Sequence, residues 1–214
     1  MNADPVARIY RTLEYLAFGR ALERCRYSLV APAATAKHIL ILGEGDGRFL
    51  ARLLARNAQA QVDVVESSER MLALARTRVA APDLPRVRFL HQDALDGLPA
   101  LTYDAIVTNF FLDCLTADEA RQFIRSTVPL LDPHGCWLVS DFHLPAAGIR
   151  RWHAKLWLTV MYRFFALTTD LRAYQIPDYP AEFASAGLLR LDQQFWRGDL
   201  LTAERYGFFS DDLS

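Results

Sequence analysis

Hydrophobic and polar positions alternate along the chain in two periods. Residues 5–30 repeat apolar side chains at helical spacing through Val6, Ile9, Tyr10, Leu13, Leu16 and Ala17. Pro5 suits a first helical turn, and Pro32 ends the segment. Ile39-Leu40-Ile41-Leu42 is a continuous apolar run that stops at glycines, as in a strand buried on both faces. Helical period returns from Arg48 to Asn57. Val62 to Val65 is the next strand, and Ser68 caps a helix through Met71, Leu72, Leu74 and Ala75. Val87 to Leu90 is a third strand and Tyr103 to Thr108 a fourth. Thr116 and Glu119 form a capping box that opens another helix, and Cys136 to Val139 is a fifth strand. Strands alternating with helices over 37–142 predict an open, mostly parallel α/β sheet with helices on both faces.

After residue 142 the order changes. A helix is predicted from Ile149 to Leu167, a turn at Pro177 and Pro180, and a short helix from Tyr179 to Ala186. Leu188 to Trp196 and Leu200 to Phe209 read as two strands joined near Gly198. The expected layout is one domain over 1–214. It comprises an N-terminal helical lid (1–36), a core (37–142), a helical insertion (143–187) and C-terminal strands (188–214).

Composition narrows the function classes. With 24 basic and 25 acidic side chains, the formal charge is −1, with no basic excess for a nucleic-acid partner. The hydrophobic share of 52% excludes disorder. Cys25, Cys114 and Cys136 are far apart and lack a C-x-x-C pair, so they read as small apolar residues in a reducing compartment. The first residues lack the pattern of a signal peptide, and the expected location is cytoplasmic.

The chemistry starts at Gly43-Glu44-Gly45-Asp46-Gly47, between a strand and a helix. Glycines there let backbone approach a ligand, and the helix N-terminus adds free N–H groups. The dinucleotide fingerprint is G-x-G-x-x-G. Here the third glycine comes one residue early. The stretch Ile39 to Gly47 instead resembles the first motif of class I methyltransferases that use S-adenosylmethionine (SAM). Glu66 ends the second strand, 23 positions after Gly43, where a carboxylate reaches ribose hydroxyls. Leu90-His-Gln-Asp93-Ala94-Leu95 resembles the family's adenine motif, and Tyr103 to Asp113 its fourth strand and exit.

That resemblance implies a Rossmann-like sheet of seven strands with an antiparallel C-terminal strand. It implies a SAM site at Gly43, Glu44, Gly45, Gly47, Glu66, Ser67, Met71, Asp93, Ala94 and Asn109. The family often places an acid two residues before the first glycine. Ile41 stands there, leaving Glu44 or an N-terminal helix residue for that role. Asn109-Phe110-Phe111-Leu112 lacks the prolines of enzymes that methylate exocyclic or amide nitrogens. Catalytic candidates at strand ends are Asp113 and His143, and no metal is expected. His91 reads as a loop or core histidine.

The predicted helix over 150–167 has a narrow polar stripe of Arg151, Lys155, Thr159 and Arg163. Its wide apolar remainder either packs under the N-terminal helix, walls a lipophilic acceptor pocket, or touches a membrane surface. Residues 167–180 resemble, loosely, a region of quinone-type methyltransferases. The expected activity is methylation of a small lipophilic or aromatic acceptor. A non-catalytic SAM-binding module and an NAD(P)-dependent oxidoreductase are the alternatives. The oligomeric state is left open.

Overall fold

The computed structural model describes residues 18–145, 147–168, 173 and 175–209. The chain forms α1 (Ala21–Ser28), β1 (His38–Leu42), α2 (Arg48–Arg56), β2 (Gln61–Glu66), α3 (Glu69–Arg78), β3 (Val87–His91) and β4 (Tyr103–Asn109). Then follow α4 (Ala117–Thr127), β5 (Leu131–Phe142), α5 (Gly148–Thr168), α6 (Tyr179–Ser185), β6 (Leu188–Trp196) and β7 (Leu201–Phe208).

These strands make one seven-stranded sheet in the order β3-β2-β1-β4-β5-β7-β6. β1 pairs in parallel with β2 and β4, and β7 runs antiparallel to both β5 and β6. Six strands therefore point one way and β7 the other, as expected. The tight turn at Arg197-Gly198-Asp199, all with φ of 53–69°, forces β7 to return beside β6.

The pleat divides the core. Ile39, Ile41, Val62, Val64, Ala105, Val107 and Leu138 face one way, packing with Leu22, Phe49, Leu53, Leu158 and Tyr162. Leu40, Leu42, Val65, Ile106, Trp137 and Val139 face the other, packing with Phe123, Ile124, Tyr179 and Phe183. Alternating side chains of one apolar run thus fill two layers.

Three local readings change. The helix expected over 5–30 is interrupted at Gly19, whose φ of +60° is left-handed, and α1 begins beyond it. Tyr10 and Tyr15 lie outside the described residues. β5 starts at Leu131, earlier than Cys136, because Leu131 pairs with Tyr103 across an irregular register. Pro133 and Gly135 mask that start in the sequence. Cys114 and Cys136 are half-buried, and Cys25 alone of the three is fully buried. The capping box at Thr116 and the Ser68 cap form as expected.

α5 packs through Ala154, Leu158 and Tyr162, and its polar positions Arg151, Lys155, Thr159 and Arg163 face solvent. Ile149, Trp152 and Leu156 are exposed as well, so the apolar circumference is only partly covered. Phe18 packs between Phe142 and Trp157, tying the α1 approach to α5.

Gly47 shows how tightly α2 meets α3. It has φ +85°, and a Cβ there would sit 2.4 Å from the Ala75 Cα. Gly47→Ala is expected to lower unfolding free energy by about 2–4 kcal/mol in chemical denaturation, from left-handed strain plus overpacking. Gly45→Ala meets open space and should cost only about 1 kcal/mol.

Candidate active site

Parallel β1–β4 bring four loops to one edge of the sheet, where the strand carboxyl ends lie. The β1 loop turns at Gly43 and Gly45, both near φ +66°. Gly43 N–H donates to the Val65 carbonyl at 3.0 Å, continuing the β1–β2 pairing into the loop. Glu66 lies under it. Its Oε2 accepts from Gly45 N–H and its Oε1 from Ser68 N–H, each at 3.0 Å. Burial raises the Glu66 pKa, and those backbone donors oppose the rise.

The loop's two acids do different things. Asp46 pairs with Arg48 at 2.8 Å and Arg78 at 3.1 Å, and Arg48 reaches Glu23 at 2.7 Å, so this network joins α1, α2 and α3. Glu44 turns inward. Its Oε1 accepts from Leu50 N–H at 2.9 Å, closing the first turn of α2, while buried Oε2 has no hydrogen-bond partner. Burial pushes its pKa up to about 8.

A groove runs over this edge. Asp93, Ala94 and Leu95 line one end, Glu66, Ser67 and Met71 follow, and Gly43, Glu44 and Gly45 form the middle. Asn109, Phe110, Phe111, Cys114 and Arg26 close the other end. Asp93 Oδ1 accepts from Leu95 N–H at 3.0 Å, which holds its turn. Asn109 Oδ1 accepts from the Ser140 hydroxyl at 2.7 Å, while its buried amide nitrogen has no partner.

Nine of the ten residues assigned to the cofactor from sequence line this groove; Gly47 does not. Its missing Cβ makes room for Ala75, so packing rather than a ligand explains that glycine. His143 lies elsewhere. Its Nδ1–H donates to the Asp199 carbonyl at 2.8 Å, its ring packs on Phe195 and it lines a second cavity. His91 is exposed, with Nε2 3.1 Å from the Ser67 carbonyl.

Asp113 does not line the groove either; its neighbour Cys114 does. Asp113 N–H donates to Asp141 Oδ2 at 3.2 Å, Cys114 Sγ–H to Asp113 Oδ1 at 3.6 Å, and Tyr162 O–H to the Asp113 carbonyl at 3.2 Å. Burial pushes Asp113 up to about 6, and burial plus the Asp113 charge raises Asp141 well above the carboxylate range. Among the described residues no three or more His, Cys, Asp or Glu converge as metal ligands.

The second cavity, about 680 Å³, lies between α5, the 175–180 loop and β6–β7. Phe142, Leu144, Leu158, Tyr162 and Ile176 supply apolar wall, and Arg151, Lys155 and Arg190 supply positive charge, with Asp178 and Glu204 opposite in sign. Tyr162 and Asp113 stand between this cavity and Cys114 on the groove side.

Arg26 was not legible as a groove residue by motif. The signal was its spacing. Leu22, Cys25, Arg26 and Leu29 share the inward face of one helix, so an arginine occupies a core position.

The groove suits a nucleoside carrying an amino-acid end. Carboxylates stand at the ends of β2 and β3, Gly45 leaves open space where a Cβ would intrude, and orphaned polar atoms lie toward β4. A family model described as a methyltransferase domain matches residues 39–135. Over those residues, which run from β1 into β5, the chain is similar to a methyltransferase domain.

Among similar proteins, ribosomal RNA large subunit methyltransferase G of Aeromonas hydrophila is 32% identical over 120 residues, 53% of this chain and 32% of that protein. Trans-aconitate 2-methyltransferase of Acidovorax sp. strain JS42 is 40% identical over 89 residues, 42% of this chain and 32% of that protein. The chain spans about a third of the length of these relatives. The structure of 1,6-didemethyltoxoflavin-N1-methyltransferase from Burkholderia thailandensis, with S-adenosylhomocysteine bound, matches with TM-score 0.67 and 17% identity. That match covers 97% of this chain and 87% of that one.

The buried Asp113–Asp141 pair has a pH signature. A carboxyl whose pKa is raised on folding stabilises the fold below its unfolded value, and that stability is lost as pH rises through the folded value. Asp113→Asn should therefore gain at least about 1 kcal/mol on the parent between about pH 5 and about pH 8 in paired denaturation curves. A constant difference across that range would contradict the shared-burial account.

Proposed function

We propose that this protein transfers a methyl group from SAM to a small acceptor seated in the second cavity. The observation that carries the reading is the groove itself, a glycine loop flanked by Glu66 and Asp93 with unpaired polar atoms at its far end. Bound SAM supplies a methyl group on a positively charged sulfur. The chain then has to hold an acceptor in line with that methyl and keep water out. Phe110 of the groove lies 5.3 Å, ring centre to ring centre, from Phe142 of the second cavity.

The cavity's walls support an aromatic or lipophilic acceptor body, and Arg151, Lys155 and Arg190 support an anionic substituent on it. Where the acceptor must lose a proton, His143 is the base. Its Nδ1–H is held by the Asp199 carbonyl, which leaves Nε2 as the free acceptor of the neutral ring. Asp113 acts as a positioning residue in the wall.

An RNA acceptor is the second reading, because three of the similar proteins are named for RNA. The even charge balance favours the small molecule. Among the described residues no helix is long and apolar enough to cross a membrane, and we place the protein in the cytoplasm.

Calorimetry should show SAM binding and no NAD binding, with Glu66→Gln weakening SAM about tenfold or more. Label from methyl-labelled SAM should pass to aromatic carboxylic acids, with Lys155→Ala raising KM more than it lowers kcat. Label entering RNA instead, or tight NAD binding, would overturn the proposal.

A further inference from the structure

α5 buries one face and leaves the opposite one open. Ala154, Leu158 and Tyr162 are buried in the core. At about 100° per residue, Ile149, Trp152 and Leu156 fall on a single stripe on the far side of the helix. Their exposures are 73%, 63% and 53%, so the stripe is apolar surface in contact with solvent.

Charge on the same helix is one-sided. Over its 21 residues α5 carries Arg150, Arg151, Lys155 and Arg163 and no aspartate or glutamate. The whole chain has 24 basic and 25 acidic side chains, so this is local segregation rather than a bulk excess. Arg151, Lys155 and Arg163 are exposed. Arg163 continues the apolar stripe, and Lys155 and Arg151 stand on its flank. Arg151 is held at its end of the helix by a 2.9 Å hydrogen bond from Nη1 to the Pro145 carbonyl.

We infer that this face of α5 docks on an anionic phospholipid surface, with Ile149, Trp152 and Leu156 entering the boundary between headgroups and acyl chains and Arg151, Lys155 and Arg163 meeting lipid phosphates. Exposed apolar side chains rimmed by cations are what a helix lying in that interface needs. A tryptophan suits the depth, because its ring is apolar and its N–H is polar. α5 lies along such a surface and does not cross it, since it is not apolar enough to span.

Charge also selects against other occupants. A second copy on a twofold axis would set this face against itself and bring its cations together. A nucleic acid would meet the cations without covering Ile149 and Leu156. Elsewhere, Leu189 and Leu191 are exposed on β6 but stand between Arg190 and Asp192, a setting of mixed charge. Arg151, Lys155, Leu158, Thr159 and Tyr162 of α5 line the second cavity, so docking brings the lipid surface against that cavity's α5 wall. A lipophilic acceptor then arrives from the bilayer; that consequence rests on the proposed function, and the docking itself does not.

The test is flotation of the full chain with vesicles of phosphatidylcholine alone or mixed with phosphatidylglycerol, at low and high salt. The parent should bind mixed vesicles at least about tenfold tighter than neutral ones, and high salt should remove most of that preference. Ile149→Gln combined with Leu156→Gln should weaken binding to mixed vesicles about tenfold or more and keep its salt dependence. Arg163→Glu should weaken it about fivefold or more and reduce the salt dependence. All three positions are exposed, so unfolding curves of the variants should superimpose on the parent's.

Binding of the parent to mixed vesicles no tighter than to neutral ones, or to neither, would overturn the docking. So would unchanged binding in both variants, which would move the contact to another surface. A parent that sediments as a dimer, with the Ile149→Gln and Leu156→Gln variant monomeric, would assign the stripe to a second copy instead. SAM calorimetry on the same variants should match the parent, which keeps a failed docking distinct from a failed cofactor assignment.

Discussion

Glu66 accepts one N–H from the β1 loop, at Gly45, and one from the turn before α3, at Ser68. A carboxylate at this buried position is stable only because those fixed dipoles face it. In return it ties the β1 loop to the turn before α3. The whole groove hangs on this arrangement. If the carboxylate were lost, Gly45 and Ser68 would keep donors aimed at nothing, and the loop would lose its anchor to β2. The Ser67 N–H also supports the carboxylate, and a carboxylate has about four acceptor directions in all. The same side chain can therefore organise the site and still offer an acceptor direction to a ligand hydroxyl.

What was legible in the sequence follows from how local each cause is. β1 to β4, the Ser68 cap and the Thr116–Glu119 box depend on neighbours within a few positions, and they form where the pattern places them. The early start of β5 depends on Tyr103, far away in sequence, and the pattern of Pro133 and Gly135 hides it. The packing role of Gly47 is hidden for a related reason. A glycine that admits a ligand and one that admits a neighbouring helix look the same until Ala75 is in place. His143 stands at a strand end, and the hairpin turn at Asp199 decides where its ring points.

The two cavities differ in how they treat charge. The second one is open, and its arginines and lysine have partial access to water, so its charges are inexpensive to maintain. Between it and the groove lies the Asp113–Asp141 pair, held by Cys114, by Tyr162 and by backbone N–H groups. Two like charges cannot both persist there, so at least one proton is retained until the pH rises well beyond the carboxylate range. The wall consequently carries at most one negative charge, spread over a hydrogen-bonded pair.

The groove is different because its cost is left open. Asp63 shows the alternative: it meets Arg88 through both oxygens and receives the Tyr103 hydroxyl at 2.7 Å, so nothing in that cluster waits for a partner. Glu44 and Asn109 are just as buried, yet each keeps one atom unmatched. An unsatisfied buried polar atom costs on the order of 1–3 kcal/mol. Folding tolerates both among residues that line one groove. A ligand with the complementary pair returns that cost on binding, so its affinity and the stability of the fold rise together.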